Sequence, residues 1–267
     1  MKKFVLVLFV LCASLQASSF SDEKQSLPGI AIVTVPKSGS HLIGRLITLL
    51  SKELNFESPP GFHTDEFMRS KTLPKTYPKR ILLVRDPRDV CLSWINFIKK
   101  GVEKDVVDFI DKNILALPEP HKATWRSLNF DTQLAAVIRG ESHYTHNLKI
   151  HPTLVYYPLV TFEPAIHLAR EPQTLICKFE NLVGPKGGGT EKAQKEEILK
   201  IVQFLGLEIS EEQLNQIAPQ LFGGVGTFHK GQIGGWRNTF NSSNKKLFKK
   251  RKQYLLEAFG YEKDTHW

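Results

Sequence analysis

Apolar and β-branched residues fill positions 29–35 almost without interruption, and the run stops at a polar turn, Pro36-Lys37-Ser38-Gly39-Ser40. A continuous apolar run of this length, ended by a turn, reads as a strand buried on both faces, as in parallel sheets. The period then changes. Leu42, Ile43, Ile47, Leu50 and Leu54 fall along one side of a helix predicted over 41–54. The same alternation recurs twice. A short strand over 80–84 runs into the turn Arg85-Asp86-Pro87 and a helix over 88–100. A third strand, over 174–179, precedes a glycine-rich loop at 184–189 and an amphipathic helix over 191–205, which Gly206 can end. Ser210, Glu211 and Glu212 open a further helix with an N-cap and an acidic first turn, and a final helix covers 243–259.

Strands alternating with helices predict an α/β fold, a central, mostly parallel sheet flanked by helices. Ligands of such sheets bind beyond the C-terminal ends of the strands. Both polar turns fall there. Residues 101–172, rich in His and aromatic residues, are expected to form helices and loops over the mouth of that site.

The N-terminus reads differently. Lys2 and Lys3 precede an apolar run over 4–13, and Ala17, Ser18 and Ser19 supply small residues where cleavage would fall. This is the pattern of a secretory signal peptide, and the run is shorter than the roughly 20 apolar residues of a membrane span. The expected organisation is a signal peptide over 1–17, a leader over 18–28 and one domain over 29–267. Export or a secretory lumen is the expected location, with the cytoplasm as the alternative. Cys91 and Cys177 would remain after cleavage, both in apolar segments, and read as buried thiols.

Composition narrows the class. With 267 residues, 41% hydrophobic and 24% charged, the chain is sized for one globular domain, which leaves out disordered and multi-span membrane classes. A formal charge of +9 suits an anionic partner. Much of it sits in Lys245, Lys246, Lys249, Lys250, Arg251 and Lys252. That cluster is either a solvated helix face or a peripheral contact with an anionic surface such as a membrane.

The two turns carry the candidate chemistry. A strand feeding a small-residue turn and then a helix aims backbone N–H groups and the helix dipole at one point, which favours phosphate or sulfate. Lys37 adds a mobile positive charge, and Ser38 and Ser40 add hydroxyl donors. The turn is not a Walker A loop, because here the Lys precedes the Gly. In the second turn, Arg85 at a strand end can make a bidentate bond to a phosphate, and Ser93 further along the helix can face the same ligand. The plainer alternative makes Asp86 an N-cap and leaves Arg88 and Asp89 as surface charges.

On these residues the chain resembles the PAPS-dependent sulfotransferases, enzymes whose donor is 3′-phosphoadenosine-5′-phosphosulfate. Four blocks occur in the family's order: Val35-Pro36-Lys37-Ser38-Gly39-Ser40, Val84-Arg85-Asp86-Pro87-Arg88-Asp89-Val90 with Ser93, Cys177-Lys178-Phe179-Glu180-Asn181-Leu182, and His229-Lys230-Gly231-Gln232-Ile233-Gly234-Gly235-Trp236-Arg237-Asn238. The resemblance implies a P-loop nucleotide-hydrolase-like fold and sulfuryl transfer to a hydroxyl or amine. Lys37, Ser38, Gly39, Ser40 and His41 would hold the 5′-phosphosulfate, with Lys37 near the leaving oxygen. Arg85 and Ser93 would hold the 3′-phosphate, and His229, Lys230 and Gly231 would close over it. Three positions depart from the family pattern: His229 where Arg is common, Leu42 near the position of an adenine-stacking aromatic residue, and Phe179, which would bind the cofactor at the adenine edge, where Tyr is common. The family's general base, a His between the first two blocks, would here be His63, with Glu66 in reserve. His143 and His146 read as loop positions near the acceptor entrance.

The implied partners are PAPS as donor and a small-molecule, glycan or glycolipid acceptor, with no metal and no nucleic acid. Two other readings stand beside this one. One is a related protein that binds an anion or acidic glycan without turnover. The other is a nucleotide kinase, which should carry a full Walker A loop and acidic Mg²⁺ ligands.

Overall fold

The computed structural model describes residues 24–64, 76–104, 119–140, 158–223 and 231–267. The predictions for 1–17, Glu66, His143, His146, His229 and Lys230 fall outside these residues.

Four strands form one sheet: β1 (Ile30–Thr34), β2 (Gly61–His63), β3 (Lys79–Val84) and β4 (Thr174–Lys178). All pairings are parallel, and the order is β2-β1-β3-β4. Alternation along each strand sends side chains to opposite faces. Ile30 and Ile32 of β1, Ile81 and Leu83 of β3 and Cys177 of β4 face one apolar cluster. Val33, Val35, Leu82 and Val84 face the other. Every one of these side chains is buried, which explains why the strands read as continuous apolar runs.

Helices cover both faces. The first cluster is closed by α1 (Ser40–Glu53), through Ile43, Leu46, Ile47 and Leu50, and by helices that follow β4. The second is closed by α2 (Pro87–Lys104), α3 (Glu119–Ser127), α4 (Phe130–Arg139) and α5 (Phe162–Arg170). Beyond β4 come the single turn α6 (Phe179–Leu182), then α7 (Glu191–Phe204), α8 (Glu211–Ile217) and α9 (Ser242–Ala258). The Ser210 cap is a full capping box: its hydroxyl accepts from Gln213 N and the Gln213 side chain accepts from Ser210 N.

Three features differ from the sequence expectation. Parts of 101–172 are core rather than a cover: Trp125, Leu134, Val137, Ile138 and Phe162 are all buried in the second cluster. Arg88 and Asp89 are not surface charges, being 1% and 2% exposed. The leader is also tied in where it is described, since Gln25 exchanges backbone hydrogen bonds with Asn55 and Glu57. The two thiols are buried in separate clusters, Cys91 in the second and Cys177 in the first.

Candidate functional site at the strand ends

The chain leaves β1 for β2 on one side and reaches β3 on the other, so the sheet order reverses at β1. In open parallel sheets the crevice at such a switch is the ligand site. The turn over 36–39 leaves β1 there, and Arg85 and Asp86 leave β3 beside it.

The first turn is tight and strained. Lys37 has a left-handed backbone, φ 68°, which costs a non-glycine residue about 1–2 kcal/mol. Ser38 N donates to Val35 O, and Gly39 O accepts from Leu42 N and Ile43 N, which starts α1. Gly39 has φ 104°, and a Cβ there would lie 2.7 Å from the Phe179 ring, so only glycine lets the turn close onto that ring. The opening N–H groups of a helix have no intrahelical acceptor and favour an anion. Ser38 Oγ is buried and has no partner among the described residues.

Positive charge surrounds this point. The Lys37 ammonium rests over the Phe97 ring of α2, 3.8 Å from its centroid. Burial, then the charges of Arg85 and Lys100, push its pKa down to about 8. His41 is held below the ordinary imidazole range by partial burial first, then by Lys37 and His63. Arg85 lies 4.3 Å above the Phe179 ring and donates through one terminal nitrogen to Gln232 O at 2.8 Å. Its Nε is buried and unpartnered among the described residues. Two cations, an orphaned hydroxyl and an orphaned guanidinium N–H fit a multiply charged anion.

The second turn is built from buried charges. The Asp86 carboxylate accepts from Arg88 N, Nε and one terminal nitrogen, and Asp86 O accepts from Val90 N, so Asp86 does cap α2. The Arg88 guanidinium also pairs with Glu262 at 2.8 Å and lies between the rings of Trp236 and Trp267, at 3.7 and 4.4 Å. Asp89 accepts from Gly234 N at 2.7 Å and Trp236 N at 3.0 Å, which pins the C-terminal loop to α2. Burial raises the Asp89 carboxyl pKa above its ordinary value. Ser93 is half-buried one turn after Asp89, on the same side of α2 as the pinned loop. Gly231 begins that loop with φ 58°, and the next residues bond to the glycine-rich segment, Gln232 Nε2 to Lys186 O and Ile233 N to Gly187 O. Gly187 is needed there, since a Cβ would sit 2.7 Å from Gly231 O.

Phe179, expected beside the nucleotide base, is buried between Gly39 and Arg85, where its ring supports both turns. Glu180 braces the second turn, accepting from Asp86 N and from the Tyr261 hydroxyl, each at 2.9 Å.

His63 ends β2 and is the register partner of Thr34, the last residue of β1. Thr34 Oγ1 lies 3.2 Å from His63 Nδ1 and 3.0 Å from Ser40 Oγ. Thr64 Oγ1 donates to Thr161 O and fixes the end of β2. An open groove of about 350 Å³ runs beside these groups between α1 and β2, lined by Ile43, Ile47, Pro59 and Phe62 with Thr34, Ser40 and His63. Sequence reasoning passed over Thr34, Asp89 and Glu180. Thr34 carried one readable signal, its position at the end of a buried strand just before the anion turn. Among the described residues no group of His, Cys, Asp or Glu is arranged to hold a metal ion.

The comparisons agree with this architecture. Residues 62–222, more than half of the chain, match the family described as the sulfotransferase domain. Sulfotransferase 6B1 of Danio rerio is 23% identical over 259 residues, covering 89% of this chain and 69% of that protein. The crystal structure of mouse sulfotransferase SULT7A1 complexed with PAP superimposes with a TM-score of 0.56 at 16% identity, covering 88% of this chain and 85% of that one. Retinol dehydratase complexed with retinol and PAP gives 0.54 at 15% identity, covering 88% and 82%. The matched span begins inside β2 and includes Arg85 and Phe179, and the fold joins to it the Lys37 turn on one side and the Asp89-pinned loop on the other. By its sequence match, and in a fold shared with these enzymes, the chain belongs to the sulfotransferase domain family.

Proposed function

We propose that this protein transfers a sulfuryl group from PAPS to a hydroxyl or amine of a small-molecule acceptor. The observation that carries the reading is the meeting of the Lys37 turn and Arg85 at the sheet's switch point, each holding a buried polar atom with no partner among the described residues. The PAP in complex with the similar structures, and the retinol and androsterone in complex with retinol dehydratase, support the same donor and a small-molecule acceptor.

PAPS supplies the sulfuryl group. Ser38, Ser40, His41 and the N–H groups opening α1 would hold its 5′ end, and Arg85 and Ser93, with His229, Lys230 and Gly231, its 3′-phosphate. In the transfer, the acceptor oxygen forms a bond to sulfur as the bond from sulfur to the 5′-phosphate oxygen breaks. Lys37 offsets the negative charge that develops on that phosphate oxygen, a stabilisation realised mainly in the transition state. His63 takes the acceptor proton at Nε2, in the tautomer whose Nδ1–H donates to Thr34. The apolar groove beside His63 gives an acceptor's body a place to lie. A glycan or glycolipid acceptor, export through the N-terminal segment and membrane contact through the basic face of α9 are parts of this reading that rest on sequence alone.

Calorimetric titration of the chain from Ser18 onward with PAP, beside ATP and AMP, tests it. Micromolar binding that requires the 3′-phosphate and falls at least about tenfold in Arg85→Ala is the expected result. Equal binding of ATP would favour a kinase-like site. Tight PAP binding without transfer to any acceptor would favour a binding protein.

A further inference from the structure

Thr34 joins the anion turn to His63. It is 4% exposed, and parallel register partners carry their side chains on the same face of the sheet. Its hydroxyl therefore lies between the imidazole and the start of α1, making the row Ser40 Oγ, Thr34 Oγ1, His63 Nδ1 with spacings of 3.0 and 3.2 Å.

Each hydroxyl has one proton to give and lone pairs to receive. The row can thus run in two senses. In the first, Ser40 donates to Thr34 and Thr34 donates to Nδ1, so the ring proton sits on Nε2 and that nitrogen cannot accept. In the second, Nδ1–H donates to Thr34 and Thr34 donates to Ser40. The Ser40 proton then points out of the row, and Nε2 keeps its lone pair. In either sense each spacing of the row is bridged by one proton. An anion at the start of α1 makes the two senses unequal, because it attracts the Ser40 proton and repels its lone pair, and a charge-assisted bond is roughly twice as strong as a neutral one.

We propose that Thr34 is a positioning residue through which an anion bound at the Lys37 turn sets the tautomer of His63, leaving Nε2 basic when the donor's 5′ end is in place. The inference rests on the reading of His63 as general base. The base is thereby formed in the donor-bound protein, and the same row accepts Nδ1–H once Nε2 has taken the acceptor proton. In the ordering step the Nε2–H bond breaks and an Nδ1–H bond forms, one proton leaving to and one arriving from water, while the Thr34 and Ser40 hydrogens only turn to new acceptors.

The experiment is NMR of the full chain labelled with ¹⁵N-histidine, with and without saturating PAP. His63→Ala identifies the signal among the nine histidines. With PAP, His63 should be protonated at Nδ1 and bare at Nε2. Thr34→Val, which keeps the shape and removes the hydroxyl, should lose that response, and Thr34→Ser should keep it. In turnover, Thr34→Val should lower kcat about 10- to 100-fold with the donor KM within about twofold, and Thr34→Ser should stay near the parent. Added to His63→Ala, Thr34→Val should lower turnover no further. A tautomer indifferent to PAP in the parent protein overturns the proposal, as does an equal loss from Thr34→Val in the His63→Ala background. If Thr34→Val does not fold, Ser40→Ala with PAP tests the same row, and retention of the PAP-dependent tautomer there overturns it. Should His63→Ala turn over normally while the tautomer still follows PAP, His63 is not the base and the coupling stands.

Discussion

Lys37 combines a left-handed backbone, a depressed pKa and a resting place over Phe97. The first two disfavour the residue unless an anion is the intended neighbour, and the aromatic face only partly offsets them. Replacing it with Ala should lower kcat about 10²- to 10³-fold with a smaller loss of PAP affinity, measured by steady-state kinetics beside calorimetry. The same residue sets the pH dependence of binding. With a free pKa of about 8, Lys37 starts to lose its proton above that pH, while a bound anion holds the proton on by raising the pKa. PAP affinity should therefore be flat below about pH 8 and fall by up to about tenfold per pH unit above it. Lys37→Ala should remove this break, and a break that persists would assign it to another group.

Among elements, α2 does the most to assemble the site. Its first turn carries Asp86, Arg88 and Asp89, and through Asp89 it holds the C-terminal loop in place at Gly234 and Trp236. Asp89→Ala would leave both N–H groups without that acceptor, at about 1–3 kcal/mol each. Urea unfolding should register the loss of stability, and titration should show weakened PAP binding, because Gln232 in that loop is what Arg85 touches. The sheet and its helices were legible because β1 and β3 are buried on both faces, β4 packs Leu175 and Ile176 against the two clusters, and the helices keep a 3.6-residue apolar period. β2 was not, being three residues long with half-buried Phe62 and His63 in place of an apolar run. Its pairing with β1 is a matter of register, which no local pattern encodes. For the same reason His63 could be reached only through family order, and its bond to Thr34 not at all. Arg88 and Asp89 read as surface residues because their partners, Glu262, Trp236, Trp267 and Gly234, lie 145 or more positions away in the case of the Asp89 bonds and further for the ion pair.

At the scale of the whole molecule, two apolar clusters on the two faces of one parallel sheet supply the stability, and the strand ends supply the site. These two demands conflict at a single side chain. A lysine whose pKa falls from 10.5 to about 8 on folding stays protonated at pH 7 in both states, and the folded state bears the penalty. That penalty is fully present below about pH 8 and fades as pH approaches the unfolded value, so at pH 7 it amounts to about 3 kcal/mol. Lys37→Met should thus raise the melting midpoint at pH 7 by about 4–8 °C while removing turnover, and calorimetric scans at pH 7 and pH 10 should show the gain shrinking. A search of random variants for heat resistance alone would then select against catalysis early. Selection for a robust fold and selection for a working enzyme pull this turn in opposite directions, and a library screened for both should keep Lys37 and find its gains elsewhere.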